Sequence, residues 1–168
     1  FEQIRNDICY QNVDVKIVGT GGGLSYGNLG PTHHAREDIA IMRALPNMTI
    51  ACPCDSIETE LLVKESLKLN GPLYIRLGRG NEPIVHNEKP KLSIGKGITL
   101  KDGDDIAIIA TGNILNNALI AAGLLAEKSI NARVIGMHTV KPLDKEIVLK
   151  AVNETKAIFT VEEHSIIG

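Results

Sequence analysis

The sequence of 168 residues contains no tryptophan, and aromatic residues make up only 3% of it. Proteins that bind single-stranded nucleic acid stack the bases on aromatic side chains, so this composition argues against that class. The formal net charge is −2, with no basic excess, and neither nucleic acid nor an anionic membrane is an expected partner. No apolar run approaches the roughly 18 residues that a membrane-spanning helix needs.

Cysteine is also sparse, with three residues at positions 9, 52 and 54. An odd number of scattered cysteines predicts reduced, mostly buried thiols and a cytoplasmic protein. The alternative is a metal site in which Cys52 and Cys54 join His33 or His34. Zinc sites usually combine two paired-ligand motifs, and the sequence offers only one such pair. We therefore expect no metal ligands in this chain.

The most distinctive segment is a glycine-rich loop at residues 19–34, which follows an apolar run and ends in the sequence Gly-Pro-Thr-His. Loops at the carboxyl ends of strands bind ligands in open α/β sheets. The imidazole of His33 exchanges protons near neutral pH, so this residue is a candidate for function, with a capping or solvated role as the alternative. The loop does not match the dinucleotide fingerprint, because the G-x-G-x-x-G pattern fails at Leu24 and Tyr26.

Apolar runs and amphipathic segments alternate along the chain, which is typical of parallel βαβ units. Asp55 followed by Glu58 has the pattern of a capping box at the start of a helix. The predicted strands are 13–19, 48–52, 73–77, 105–111, 133–140 and 157–161, and the predicted helices are 1–10, 36–45, 56–69, 114–128 and 143–152. The expected fold is α/β, with two consecutive parallel-sheet βαβ domains of three layers (α/β/α), both truncated.

Residues 81–104 interrupt this alternation with prolines, asparagines and glycines. We interpret them as a linker between one domain at 1–80 and a second at 105–168, with short antiparallel strands between residues 93 and 100. The sequence begins on the apolar face of a helix and stops just after a strand-like run. We therefore expect it to be a fragment of a longer chain.

Six segments form a recognisable series, in the order GPTH, MRALPNMTIACPCD, PLYIRLGRG, DIAIIATGN, VIGMHTVKPLD and FTVEEHSIIG. Together they resemble the transketolase family of thiamine diphosphate enzymes over nearly the whole chain. The resemblance implies the latter part of the family's pyrimidine-binding domain, followed by the first part of its C-terminal domain.

The resemblance also implies roles for individual residues. His33 matches the family histidine that faces substrate hydroxyl groups beside the thiazolium ring, and Arg79 matches an arginine that binds the substrate phosphate. A guanidinium fork suits a phosphate group. We expect Arg76 to pair with a carboxylate, His34 to start a helix, and residues 162–164 to form a hydrogen-bonded turn.

The implied cofactors are thiamine diphosphate and magnesium. The family's activating glutamate and the residues that hold the diphosphate and the metal are expected outside this chain, and its own cofactor-binding residues stay unknown. Two positions depart from the family pattern, because Leu29 stands where an aspartate is common and Gly21 where a histidine is common. In the family, the aspartate and the histidine at these positions help to select a phosphorylated sugar. The resemblance therefore does not imply that the usual pentose phosphates are the substrates of this chain.

The expected function is that of a C-terminal section of a transketolase-like transferase, which moves a two-carbon ketol unit between sugar phosphates. It would need an N-terminal section that binds the cofactor diphosphate, in a homodimer or a heterotetramer. The pattern of Ile75, Arg76, Arg79 and Gly80 is also similar to deoxyxylulose-phosphate synthase, which is the first alternative. A non-catalytic dimerisation or assembly module is the second, and a keto-acid dehydrogenase of the β type is more remote.

Overall fold

A computed structural model describes residues 1–167 as eight strands in two four-stranded sheets, with helices beside them. The strands are β1 (Lys16–Gly19), β2 (Thr49–Ala51), β3 (Leu73–Arg76), β4 (Ile98–Lys101), β5 (Ile106–Ala110), β6 (Ala132–Gly136), β7 (Thr139–Lys141) and β8 (Ala157–Val161). The α-helices are α1 (Asp38–Arg43), α2 (Ser56–Ser66), α3 (Leu115–Ala126) and α4 (Lys145–Glu154). The predicted N-terminal helix is present as a π-helical segment at Ile4–Cys9.

The first sheet has the order β1-β3-β2-β7 and the second the order β4-β6-β5-β8. In each sheet three strands run parallel and one edge strand, β7 or β4, runs antiparallel to its neighbour. The α/β fold is thus confirmed, with mixed rather than purely parallel sheets. None of the helices in the described part of the chain has the length and apolar character needed to cross a bilayer.

The predicted strand at 133–140 is wrong as a single element, because it divides into β6 and β7. Two hydrogen bonds from the end of β5 hold residue 137, where Met137 N donates to Ala110 O at 2.8 Å and Thr111 Oγ1 donates to Met137 O at 2.5 Å. The chain then turns to the other sheet, where Cys52 N donates to His138 O at 2.7 Å. A strand from the second half therefore completes the sheet of the first half.

The start of α2 is fixed by the predicted cap, since Asp55 Oδ1 accepts from Glu58 N at 2.8 Å. The reciprocal contact differs from a standard capping box, because Glu58 Oε2 accepts from Cys54 N at 2.8 Å and not from the N-cap residue. Asp55 Oδ2 accepts two further bonds, from Val85 N and His86 N. One carboxylate thus ties the helix to the segment that follows the first sheet.

Two buried histidines lie near Glu58. His86 Nε2 donates to Glu58 Oε1 at 2.9 Å, and this hydrogen bond raises the pKa of His86 above its ordinary value of 6.5. Burial lowers the pKa of His138, whose side chain is 1% exposed. The first histidine therefore favours the protonated form and the second the neutral form.

These opposite shifts predict that the free energy of unfolding is greatest near pH 6.5. The contribution of His86 is fully present below 6.5 and is lost as the pH rises through its raised pKa. The contribution of His138 is present above 6.5 and is lost as the pH falls through its lowered pKa. Denaturant unfolding of the chain between pH 5 and 8.5 measures the fall in stability on the acid side and on the alkaline side.

A His86→Gln variant should show a smaller fall in stability on the alkaline side than the wild type, because it lacks the hydrogen bond between the imidazole and Glu58. If the His86 variant showed the same fall in stability above pH 6.5 as the wild type, His86 would not be the group that causes it.

Candidate active site at the sheet edge

The glycine-rich loop leaves the carboxyl end of β1 and runs beside the end of β3. Gly21 N donates to Gly78 O at 3.0 Å, and Gly22 N donates to Leu77 O at 2.9 Å. The loop therefore lies at the edge where open parallel sheets bind ligands.

Only glycine suits position 21. Its φ is +79°, and a Cβ there would overlap the ring of Tyr26. A histidine at this position, which the resemblance predicts, would displace that ring. The tyrosine ring thus fills the space beside Gly21.

His33 ends a short 3-10 turn, Pro31–His33, and its side chain is exposed. Its Nδ1 lies 3.1 Å from Thr32 Oγ1, and the described chain supplies no hydrogen-bond partner for Nε2. His34 does not start a helix as predicted, because α1 begins at Asp38. Instead, His34 Nε2 donates to Gly27 O at 3.2 Å and supports the turn before it.

Arg79 follows the end of β3 and is exposed. Its Cζ lies 5.7 Å from the centroid of the Tyr26 ring, within the range of a cation–π contact. An ion pair between Arg79 and Glu82 is the alternative to a phosphate-binding role, but Glu82 Oε1 accepts from Gly80 N at 3.0 Å. Arg79 forms no ion pair with residues 1–167.

Two clefts meet at Arg79. One of about 670 Å³ lies between the end of β3 and the start of α2, and Tyr26 also lines it. The second, of about 350 Å³, lies against the first turn of α3 and is lined by Ser25, Asn117 and Glu163. Arg79 and Asn113 line both clefts, whereas His33 lines neither.

Arg76 pairs with a carboxylate, as predicted. Its Nε donates to Asp38 Oδ2 at 2.9 Å, and its Nη2 donates to Ala35 O at 2.7 Å and to Glu163 O at 3.0 Å. Tyr74 OH donates to the same carboxylate oxygen at 2.9 Å. The Arg76 side chain is only 6% exposed, and it joins the end of the glycine loop to the turn that follows β8.

The turn at residues 162–165 completes this contact. Ala40 N donates to His164 Nε2 at 3.2 Å, and Ser165 N donates to Arg36 O at 2.9 Å. The hydrogen bond at His164 agrees with the structural turn predicted for this segment.

The three cysteines are free and buried. Burial raises the pKa of the Cys52 thiol to about 12 and raises that of Cys54 further, so neither is a thiolate near neutral pH. Cys54 lies near Asp55 and His86, with their potential ligand atoms within 4.8 Å of one another. Both oxygens of Asp55 already accept backbone N–H groups, and this cluster serves as a structural junction.

The described residues do not by themselves fit a magnesium–diphosphate site. Magnesium prefers carboxylate, phosphate and water oxygens in an octahedron. Among residues 1–167 the one cluster of three potential metal ligands is the buried group of Cys54, Asp55 and His86, and a buried thiol does not suit that ion.

Sequence patterns do not point to Tyr26 or Asn113. Tyr26 has no signal beyond its place in the glycine loop, and Asn113 follows a strand of the second half. The fold of the glycine loop brings Tyr26 to Arg79, and the packing of the second half against the first brings Asn113 there.

Comparisons with known proteins agree with this architecture. The family model for the transketolase pyrimidine-binding domain matches residues 1–84, and the model for the transketolase C-terminal domain matches residues 95–168. A subunit of an apulose-4-phosphate transketolase from Phocaeicola vulgatus is 45% identical over 168 residues, which are 99% of this chain and 54% of that protein.

Two further relatives cover the whole chain. A 1-deoxy-D-xylulose-5-phosphate synthase from Geobacter sulfurreducens is 40% identical over 171 residues, which are 100% of this chain and 26% of that protein. A solved split-gene transketolase, described as an inactive β4 tetramer, has a TM-score of 0.91 at 42% identity, covering 100% of this chain and 54% of that one. The chain thus spans about half the length of these two transketolase relatives.

Proposed function

Because the chain belongs to the transketolase family, we propose that it is the C-terminal section of an enzyme that transfers a two-carbon ketol unit between phosphorylated sugars. Its contribution is part of the substrate-binding wall. The cofactor is thiamine diphosphate with magnesium, and the residues that bind the diphosphate and the metal lie outside this chain.

The observation that carries this proposal is the state of Arg79. It is a guanidinium without an ion-pair partner among residues 1–167, at the carboxyl end of β3 and at the junction of two clefts. Its fork can bind two phosphate oxygens at once. Arg76, by contrast, is buried and paired with Asp38.

We assign His33 to the hydroxyl groups of the sugar. Its Nε2 is free for a substrate, while the contact between Nδ1 and Thr32 Oγ1 orients the ring. Since His33 lines neither cleft around Arg79, the two residues contact a substrate at separate points.

The proposed partner is an N-terminal transketolase section that supplies the cofactor site. The split-gene relative described as an inactive β4 tetramer is a precedent for a section without activity of its own. A homodimer of the complete enzyme and a heterotetramer of two sections are both compatible with this arrangement. The free, buried thiols support the cytoplasmic location that the sequence predicts.

A deoxyxylulose-phosphate synthase is the alternative within enzymes. Its relative is 40% identical, against 45% for the transketolase relative, and the chain matches about a quarter of it and not a half. A non-catalytic assembly module is the alternative outside enzymes, and the unpaired Arg79 argues against it.

Cofactor binding tests whether the groups that bind thiamine diphosphate lie in the N-terminal section and not in this chain. We expect residues 1–168 alone to bind thiamine diphosphate negligibly in the presence of magnesium, because this proposal assigns the groups that bind the diphosphate and the metal to the N-terminal section. Isothermal titration calorimetry with and without the N-terminal section measures this. Micromolar affinity for the chain alone would contradict the proposed position of the chain within the enzyme.

Activity of the assembled sections tests the function itself. The expected result is transfer of two carbons from a ketose phosphate to an aldehyde, absent from either section alone. An assembly that binds the cofactor and transfers nothing would favour the non-catalytic module.

A further inference from the structure

Tyr26 links the two parts of the candidate site. Its backbone oxygen accepts from Leu29 N at 2.9 Å at the 3-10 turn that leads to Gly30, and its ring lies beneath the Arg79 guanidinium, 5.7 Å from ring centroid to Cζ. Its ring also lines the larger cleft. No ion pair within the described chain fixes Arg79, and the Tyr26 ring contacts its guanidinium.

The ring itself is held in place by Gly21. A side chain at position 21 would overlap the Tyr26 ring, and the positive φ of that residue keeps the backbone in a conformation that glycine tolerates. The absence of a side chain at position 21 therefore makes room for the ring below Arg79.

We propose that Tyr26 is a positioning residue that holds the Arg79 guanidinium at the mouth of the cleft, ready to bind a phosphate group. The proposal rests on the phosphate-binding role of Arg79 given under the proposed function. The aromatic face provides the contact, and the phenolic hydroxyl is not needed for it.

The expected effect is modest. An exposed cation–π contact is worth about 0.5–1 kcal/mol, which corresponds to a change of about two- to fivefold in an equilibrium constant. Tyr26→Leu should produce this change, and Tyr26→Phe should behave as the wild type because it keeps the ring.

The first measurement needs no substrate. Phenylglyoxal modifies accessible arginines, and mass spectrometry of peptides gives the rate at each position. In Tyr26→Leu, Arg79 should react about two- to fivefold faster than in the wild type, since the ring no longer covers it. Arg5, exposed and bonded only to Asn6, is the internal reference. Tyr10→Leu, on a tyrosine that is 77% exposed, is the matched control variant.

A second pair of variants tests the position of the ring while leaving Tyr26 itself unchanged. Gly21→Ala displaces Tyr26 and should raise the Arg79 rate as Tyr26→Leu does. Gly30→Ala imposes similar backbone strain at φ +85°, but a Cβ there has nothing within 4 Å, so it should leave the rate unchanged. Equal Arg79 rates in the wild type, Tyr26→Leu and Gly21→Ala would overturn the proposal.

Protection by inorganic phosphate separates this proposal from the proposed function. In the wild type, phosphate should slow the modification of Arg79, and in Tyr26→Leu half-protection should need about two- to fivefold more phosphate. Identical protection in both proteins would refute the positioning role of Tyr26. No protection of Arg79 in the wild type would refute its phosphate role, whereas an altered rate without phosphate would still show that Tyr26 orients it.

Discussion

Replacing His33 with alanine is expected to lower kcat/KM of the assembled enzyme by between about ten and a thousandfold, equivalent to about 1.4–4 kcal/mol. The imidazole has a free Nε2, and its loss removes a hydrogen-bonding group from the substrate hydroxyls. The side chain is exposed and packs in no core cluster, so the free energy of unfolding should barely change. Steady-state kinetics and denaturant unfolding of the variant measure the two effects separately.

His34→Ala is the matched control, because this neighbouring histidine donates to the loop carbonyl of Gly27. It should change kcat/KM less than the His33 variant does. If His33→Ala kept full activity, or if it lost its structure, a capping or solvated role for His33 would be supported.

Replacing Arg79 with alanine is expected to raise KM for phosphorylated substrates about tenfold or more. Charge-assisted contacts to phosphate are among the stronger hydrogen bonds, and a bidentate guanidinium makes two of them. The same change should leave KM for an unphosphorylated analogue nearly unaffected. Kinetics with a ketose phosphate and the matching free ketose measure this difference.

Two variants sharpen the result. Arg79→Lys keeps the charge and loses the fork, so it should recover only part of the affinity. Arg43→Ala removes another exposed arginine and should leave both KM values unchanged. An equal loss for both substrates in Arg79→Ala would refute the phosphate role, and no loss for either would favour the assembly module.

Local patterns in the sequence predict most of the elements, because the forces that form them are local. The apolar run of β5 is buried along Ala107–Ala110, as expected of a strand covered on both faces. The Asp55 cap begins α2 at Ser56 as predicted. Predicted element ends extend beyond the observed ones, as in β1, where the apolar residues Val13 and Val15 precede the observed start at Lys16.

Long-range pairing is where such prediction fails. The run from Arg133 to Val140 is largely apolar, and nothing in its periodicity shows that Thr139 pairs with Ala51 of the other sheet. The sequence predicts short antiparallel strands between residues 93 and 100, but not that β4 at Ile98–Lys101 joins the second sheet beside β6. Partners distant in the chain decide both cases.

In the candidate site, too, local features can be predicted from the sequence and long-range contacts cannot. The chemistry of Arg79 and its place after a strand are readable from the sequence, and so is a carboxylate partner for Arg76. The stack on Tyr26 is not, because it depends on how the glycine loop folds back. His33 and Arg79 both stay predicted site residues, but they do not line a common cleft.

The strand that β7 lends to the first sheet has a consequence during synthesis on the ribosome. The edge of β2 at Ala51 pairs with Thr139 of β7, which is synthesised about 90 residues later. Until then this edge of the sheet has no partner. At translation rates of about 5–20 residues per second, this edge stays open for roughly 5–20 s. Unpaired strand edges pair with strands of other chains and so promote aggregation. The nascent first half is therefore a substrate for chaperones during this period.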